Sequence, residues 1–211
     1  LRQQKLVKWA KKRVGNGGSP VKMRLVKGAN LVMEAVEAEI FGWPLTVFDS
    51  KIETDANFKR MLEFGLQPEN IAAVHFGLAS HNLFDLAYTH VLAEERGISE
   101  GLVFEMLEGM ADHVRRALQK EKQKGGSKEI NLLLYTPVTS QDQFISAISY
   151  LVRRLDENTS PDNFLRHSFD IRVGSVRWKF LEKQFLEAWQ LKDKISSEPR
   201  RQQNRKNEVF P

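Results

Sequence analysis

The sequence predicts an α/β protein built as a partial (β/α)₈ barrel of the TIM type, followed by a helical extension and a linker. Three observations predict this fold class. Short apolar runs alternate with amphipathic helical segments five times along the chain. The connections are short, and no long crossover marks a switch point in a sheet. The strands are nearly continuous apolar runs, typical of a parallel sheet covered by helices; a doubly wound sheet is the alternative, and the barrel is favoured.

The predicted elements follow one another in a regular order. A short amphipathic helix over 1–13 precedes the repeats and ends at a turn rich in glycine. Aliphatic and β-branched runs bounded by Gly, Pro or Asn predict the strands, and apolar residues spaced by three and four predict the helices. The predicted strands are 21–29, 44–48, 71–76, 102–107 and 130–135, and the helices that follow them are 31–41, 55–64, 82–96, 112–124 and 140–158.

The alternation of strands and helices stops after Asn158, so the chain is predicted to have three segments. Residues 1–158 form the barrel part, 159–195 a helical extension with a helix over 178–195, and 196–211 a polar, basic linker. The chain starts inside a helical pattern without a cap and stops where the linker turns apolar. We therefore expect a fragment of a longer protein, with a further domain after the linker.

Composition excludes several classes of function. The 211 residues are 41% hydrophobic, enough for a core, and the absence of cysteine excludes disulfides and thiolate metal sites and favours a reducing compartment. No apolar run reaches the roughly 18 residues of a membrane-spanning helix. The net charge of +5 would suit nucleic acid, but the cations cluster only between Glu198 and Lys206. We interpret that cluster as a solvated linker and expect no nucleic-acid partner.

Polar residues follow the predicted strands where a barrel gathers its chemistry, at their carboxyl ends. The first strand brings Arg24 and Lys27 before Gly28, which would let a ligand approach the backbone. The third unit ends with Ser80 and His81 at the start of a helix. Solvated cations and a structural histidine are the alternative interpretations.

Glu105 and Glu108 lie on either side of an apolar pair after the fourth predicted strand. Two carboxylates could serve as a metal or acid–base site. Because no second ligand stands at a suitable spacing, we expect no metal there.

The last predicted barrel helix carries the most specific polar pattern, Arg153 and Arg154 followed by Glu157. Adjacent arginines point about 100° apart, but Glu157 lies one turn further and can pair with either. Such a string is often a solvated helix surface. It is also suited to clamp a small carboxylate, because the planar guanidinium binds carboxylates through two hydrogen bonds. Tyr135, at the end of the preceding strand, would lie above the same open end of the barrel.

These motifs together resemble the proline dehydrogenase domain of bacterial bifunctional proline-utilisation flavoproteins. Six motifs occur in the family's order over 21–169, so the resemblance is specific. They are Arg24 to Ala29, Lys51 with Thr54 and Asp55, Ala79 to Asn82, Leu107 with Gly109 and Met110, Tyr135 with Pro137 and Val138, and Tyr150 to Arg154 with Glu157. The resemblance implies that the five units are the last five of a (β/α)₈ barrel.

The resemblance also implies an activity. It implies FAD and the oxidation of L-proline to 1-pyrroline-5-carboxylate by hydride transfer to flavin N5. A downstream module of the same chain would be an NAD-dependent L-glutamate gamma-semialdehyde dehydrogenase that makes L-glutamate. The further implications are a quinone or other electron acceptor, a homo-oligomeric parent, and a cytoplasmic location with peripheral contact to the inner membrane during turnover.

The resemblance assigns roles residue by residue. It implies Arg24 and Tyr135 as catalytic residues and no metal ligand. The implied substrate-binding residues are Leu107, Tyr135, Arg153, Arg154 and Glu157. The implied cofactor-binding residues are Arg24, Lys27, Gly28, Ala29, Lys51, Thr54, Ala79, Ser80, His81 and Glu105.

The sequence departs from the family's pattern at five positions. Asn30 replaces an aromatic residue, Asp49 and Ser50 stand where Thr and Arg are common, and Glu105 and Glu108 replace Gln and His. The family's first three barrel strands precede Leu1. A non-catalytic barrel fragment that acts as a scaffold or binding module is therefore the alternative function, and we expect the exposed sheet edge to make the isolated chain poorly stable.

Overall fold

Four parallel strands form the centre of the fold in a computed structural model, which describes residues 2–28, 31–120, 130–198 and 200–201. They are β1 (Val21–Leu25), β2 (Val74–Ala79), β3 (Leu102–Leu107) and β4 (Leu132–Tyr135). The strands are hydrogen-bonded in chain order, and every neighbouring pair is parallel. Because parallel neighbours need a connection that crosses back over the sheet, helices separate them in sequence. The predicted α/β class with a parallel sheet is confirmed.

Several of the helices begin at side chains that accept hydrogen bonds from free backbone N–H groups. Ser50 and Glu53 form a capping box at the start of α3, and Asn82 and Ser175 cap α5 and α9. Of the helices that the structure describes, none is long and apolar enough to cross a membrane. The helices are α1 (Arg2–Gly15), α2 (Leu31–Ile40), α3 (Lys51–Gly65), α4 (Pro68–Ile71), α5 (Leu83–Glu95), α6 (Asp112–Lys120), α7 (Phe144–Thr159), α8 (Phe164–Ser168) and α9 (Val176–Leu191).

The two faces of the sheet have opposite character, because successive side chains of a strand point to opposite sides. On one face Leu25, Phe76 and Met106 are buried in the core together with Phe58 of α3 and Leu86 of α5. Burying a side chain of this size stabilises a fold by about 1.5–3 kcal/mol. The helices are therefore held against this face, and the opposite face is left to the polar residues described below.

The helix predicted in the C-terminal extension is α9, and it packs against α3. Leu181 and Ala188 of α9 are buried. Arg60 of α3 donates a hydrogen bond from Nη1 to the carbonyl oxygen of Ile195 at 2.7 Å. The extension is thus in contact with the helices that cover the sheet.

The predicted strand over 44–48 is wrong. This segment is a loop between α2 and α3, and β1 pairs directly with β2, with Arg24 opposite Gly77. Pro44 lacks a backbone donor, and Gly42 adopts a φ of 62°, so the chain turns where the prediction extends it. Short apolar runs do not by themselves distinguish a strand from other buried or half-buried segments. The described chain therefore has four strands where five were predicted.

Other predicted boundaries shift by a few residues. The third predicted strand, 71–76, lies at Val74–Ala79 because Pro68–Ile71 forms a helical turn first. The last barrel helix begins at Phe144, after a short 3₁₀ turn. The predicted end of α6 at 121–124 lies outside the described residues.

The described residues form an open sheet with β1 and β4 at its edges, so a closed barrel is not observed. The helices that follow the two edge strands in the chain, α2 and α7, bury none of their residues. Val32 of α2 is 75% exposed and Ile145 of α7 is 77% exposed. Exposed apolar faces of this kind are typical of contact surfaces.

Candidate active site

A polar cleft of about 340 Å³ lies at the carboxyl ends of the strands, on the open face of the sheet. The ends of β1, β2 and β3 with the segments that follow them form one side, and α7 and α8 form the other. Many residues that the sequence predicted for a site line this one cleft. They are Arg24, Lys27, Gly28, Lys51, Ala79, Ser80, His81, Glu105, Leu107, Arg154 and Glu157.

Glu105 of β3 reaches across the sheet to two cations of β1. Its Oε1 lies 2.7 Å from Lys22 Nζ and its Oε2 lies 2.6 Å from Arg24 Nε, while its side chain is fully buried. The strand between them, β2, has Gly77 at the crossing. A Cβ built on Gly77 would lie 2.0 Å from Glu105 Oε1, so a glycine is needed for the carboxylate to pass.

A second group of charges adjoins the strand-end side of the cleft, and two of its lysines, Lys27 and Lys51, line the cleft. We call Lys27, Lys51, Lys59, Asp55 and Asp85 the lysine cluster. Lys27 Nζ lies 2.8 Å from an oxygen of Asp55 and 2.6 Å from one of Asp85. Lys51 pairs with the second oxygen of Asp55, and Lys59 with that of Asp85 at 3.1 Å. The three cations outnumber the two carboxylates, so the cluster carries one net positive charge next to the cleft.

Burial and charge act in opposite directions on the pKa values of the lysine cluster. Burial alone would lower the pKa of Lys27, but Asp85 and Asp55 outweigh it and raise that pKa. Burial would raise the pKa of Asp85, but Lys27 and Lys59 lower it to about 2. Burial lowers the pKa of Lys59, and Asp85 offsets this only in part. Lys27 and Asp85 are thus held in their charged forms.

The loop after β2 presents a hydroxyl and an imidazole to the cleft. The backbone N–H of Leu107 donates a hydrogen bond to His81 Nε2 at 3.0 Å. Burial lowers the pKa of His81, which favours the neutral ring. Because Nε2 accepts, the proton of the neutral ring sits on Nδ1. The Oγ of Ser80 accepts a hydrogen bond from the N–H of Asn82 at 3.1 Å, which orients the turn into α5.

The arginine side of the cleft consists of Tyr150, Arg154 and Glu157 on α7. Arg154 Nη2 donates to Glu157 Oε1 at 2.8 Å, and the guanidinium carbon lies 5.3 Å from the centre of the Tyr150 ring. The predicted pairing of Glu157 with an arginine is therefore present, and the partner is Arg154. The neighbouring Arg153 is exposed.

Four of the predicted site residues are not among the cleft-lining residues, or are not described. Tyr135 lies on the same open face, with its ring centre 4.4 Å from the guanidinium carbon of Arg24. Thr54 donates to the carbonyl oxygen of Ser50 at 3.2 Å, within α3. Arg153 is exposed and does not line the cleft, and Ala29 lies outside the described residues.

Sequence reasoning did not select Asp85 or Lys59, although both are 1% exposed and belong to the lysine cluster. A signal was available for Lys59, because it falls between Phe58 and Leu62 on the apolar side of α3. A charge at an apolar helix position is rarely buried without a partner. Asp85 carried a weaker signal, since an acidic residue in the first turn of a helix also suits the helix dipole.

The fold and the cleft define an α/β protein whose polar site lies at the carboxyl ends of parallel strands. This chain belongs to the proline dehydrogenase family, because the family model described as "Proline dehydrogenase" matches residues 2–167. The resemblance stated from the sequence motifs is confirmed.

Two solved structures are similar to the chain. Proline Utilization A (PutA) from Corynebacterium freiburgense shares 38% identity with a TM-score of 0.77, over 95% of this chain and 18% of that one. PutA from Bdellovibrio bacteriovorus, inactivated by N-propargylglycine, shares 35% identity with a TM-score of 0.69, over 85% of this chain and 17% of that one. This chain therefore spans less than a fifth of either relative. No curated protein matches it.

Proposed function

We propose that this chain is part of an FAD-dependent proline dehydrogenase, which oxidises L-proline to 1-pyrroline-5-carboxylate. The observation that carries the proposal is the single cleft in which the family-motif residues of three strands and α7 come together. The membership of the chain in the proline dehydrogenase family supports it as well.

The donor groups of the cleft fit a flavin dinucleotide. Lys27 and Lys51 bring ammonium groups, and Ser80 and His81 a hydroxyl and a ring N–H, which suit the negative charge of a pyrophosphate. Gly28 adopts a φ of 118°, and a Cβ there would meet no atom within 4 Å. The backbone at this point is therefore open to a bound group. FAD, when bound, would supply the hydride acceptor at flavin N5.

The substrate would be held by its carboxylate on the arginine side. Arg154 is kept in place by Glu157 and Tyr150, and its guanidinium fork suits a carboxylate. Leu107 would supply an apolar contact to the ring of proline, and Tyr135 would stand over the mouth beside Arg24. These residues would orient the substrate against the cofactor, and the reaction would need no nucleophile from the protein. Arg153 would need to turn toward the cleft to take part.

The parent protein is proposed to be bifunctional. Both solved relatives are Proline Utilization A proteins, and this chain covers less than a fifth of each. We infer that a downstream NAD-dependent L-glutamate gamma-semialdehyde dehydrogenase module makes L-glutamate, that a quinone or other acceptor reoxidises the flavin, and that the parent is a homo-oligomer. We also propose a cytoplasmic location with peripheral contact to the inner membrane during turnover.

One observation favours a second function. The sheet of the described residues is open at β1 and β4, and apolar residues of α2 and α7 are exposed. A non-catalytic scaffold that uses these surfaces for binding would have the same features.

The experiment that tests the proposal uses the whole protein expressed from its own gene. We expect an oxidised flavin spectrum that bleaches when L-proline is added. Arg154→Met should retain the flavin but weaken reduction by proline about a hundredfold or more, because the loss of a charged hydrogen bond to a bound carboxylate costs about 3 kcal/mol. Arg153→Met tests whether that neighbour contributes.

The matched control is Arg177→Met, which removes an exposed arginine of α9 and should leave reduction unchanged. A colourless protein that does not respond to proline would contradict the enzymatic function and favour the scaffold.

A further inference from the structure

Glu105 is an unusual group for the middle of a sheet. A fully buried carboxylate is costly unless cations and hydrogen bonds compensate it. Here two cations do so, and both belong to a strand that is not the neighbour of β3. The contact exists only because Gly77 leaves the space above β2 empty. Gly77 and Glu105, which lie on different strands, are thus both needed for the contact with β1.

The contact leaves Arg24 held on two sides. Its Nε lies 2.6 Å from Glu105 Oε2, and its guanidinium carbon lies 4.4 Å from the centre of the Tyr135 ring. The carboxylate comes from β3 and the ring from β4. A side chain of β1 that is half exposed is therefore tied to two other strands, which restricts where its charge can lie.

The carboxylate at position 105 brings a negative charge that a glutamine of similar size would lack. A glutamine could accept a hydrogen bond from Arg24 but would not offset the charges of Lys22 and Arg24. The carboxylate therefore changes the electrostatics of the mouth of the cleft as well as the position of one side chain.

We propose that Glu105 is a positioning residue for Arg24, whose carboxylate reaches β1 over Gly77, fixes the guanidinium at the mouth of the cleft and offsets its charge. The consequence for the cofactor rests on the proposed function, because the role of Arg24 near a flavin belongs to it. The restraint on Arg24 itself does not depend on a flavin.

The restraint is tested by the reactivity of Arg24 toward phenylglyoxal, measured on its proteolytic peptide by mass spectrometry in the whole protein. An arginine paired with a carboxylate reacts slowly. We expect Glu105→Gln to speed the modification of Arg24 about tenfold, because an uncharged amide cannot form the ion pair that holds the guanidinium. Glu105→Asp keeps the charge but is one methylene too short to span Gly77, so it should also react faster.

Two controls separate positioning from general loosening of the fold. Glu108→Gln removes an exposed carboxylate three residues further on and should change nothing. Arg154 in the same digest is the internal reference and should react at the wild-type rate in every variant. An unchanged rate for Arg24 in Glu105→Gln, or an equal rise at Arg154, would overturn the proposal.

The charge effect is tested by sulfite, an anion whose affinity for the bound flavin is measured from the flavin absorbance. Glu105→Gln should bind sulfite about tenfold more tightly, because one negative charge near Arg24 has been removed. If wild-type flavin is reduced by proline while Arg24 reactivity and sulfite affinity are unchanged in the variant, Glu105 has no such role and the proposed function stands. If the protein holds no flavin and Arg24 reactivity still rises, the proposed function fails and the positioning role stands.

Discussion

The two sides of the cleft are held in place in different ways. Asp55, Asp85 and Lys59 of the lysine cluster are buried, and each oxygen of the two carboxylates pairs with a lysine. The arginine side includes a partly exposed ion pair, Arg154 with Glu157, on a helix that buries none of its residues. A buried network keeps its geometry before a ligand arrives, whereas a pair on an exposed helix can move with the ligand. Under the proposed function, the difference would suit a permanently bound cofactor on one side and an exchanging substrate on the other.

The largest expected effect on stability is that of Asp85→Asn in the lysine cluster. It leaves Lys27 and Lys59 without the charge that compensates them, and removing one partner of a buried ion pair costs about 3–5 kcal/mol. We expect the free energy of unfolding, measured by urea titration, to fall by that amount. Asp142→Asn, an exposed carboxylate beside α7, is the matched control and should change stability by less than about 0.5 kcal/mol. Equal effects of both variants would show that the lysine cluster does not stabilise the fold.

The pH dependence of unfolding tests the role of the lysine cluster in the wild-type chain, without a substitution. The pKa of Asp85 lies at about 2 in the folded protein and at 3.8 by reference. The stability that its charge provides is therefore complete above the reference value and is lost as the pH falls through the folded value. We expect the pH dependence of unfolding between pH 4 and pH 2 to be shallower in Asp85→Asn than in the wild type. Identical slopes would contradict the shifted pKa of Asp85.

The smallest expected effect is on the arginine side. Glu157→Gln removes a carboxylate that is 38% exposed, so we expect a loss of less than about 1 kcal/mol in the free energy of unfolding. Its effect should instead appear in the proline concentration needed to reduce the flavin, because Arg154 loses the partner that orients it. A loss of stability as large as that of Asp85→Asn would mean that the two sides are held alike.

Much of the fold was predictable because it follows from local patterns. Strand β3 lies where the apolar run 102–107 predicted it, and α5 lies within one residue of its predicted bounds at each end. The start of α3 was missed, because the helix begins at the Ser50 and Glu53 capping box, earlier than its apolar pattern indicated. The strand predicted over 44–48 failed because an apolar run does not specify whether a neighbouring strand accepts it.

The candidate site was likewise predictable from the sequence only in part. The strand-end residues Arg24, Lys27 and His81 were predicted from their positions after apolar runs, and the structure brings them to one cleft. Asp85 and Lys59 were not predicted, because their pairing joins helices that are 26 residues apart at the contact. No local pattern encodes a contact at that separation.

The sequence by itself determined the alternation of strands and helices, the family, and the residue types at the ends of the strands, because periodicity and ordered motifs are local properties of the chain. The tertiary structure alone decided which charges are buried together and which residue meets which. Glu105 shows why: its role depends on Gly77 in one strand and Arg24 in another, and only the register of three strands brings the carboxylate, the gap and the guanidinium together.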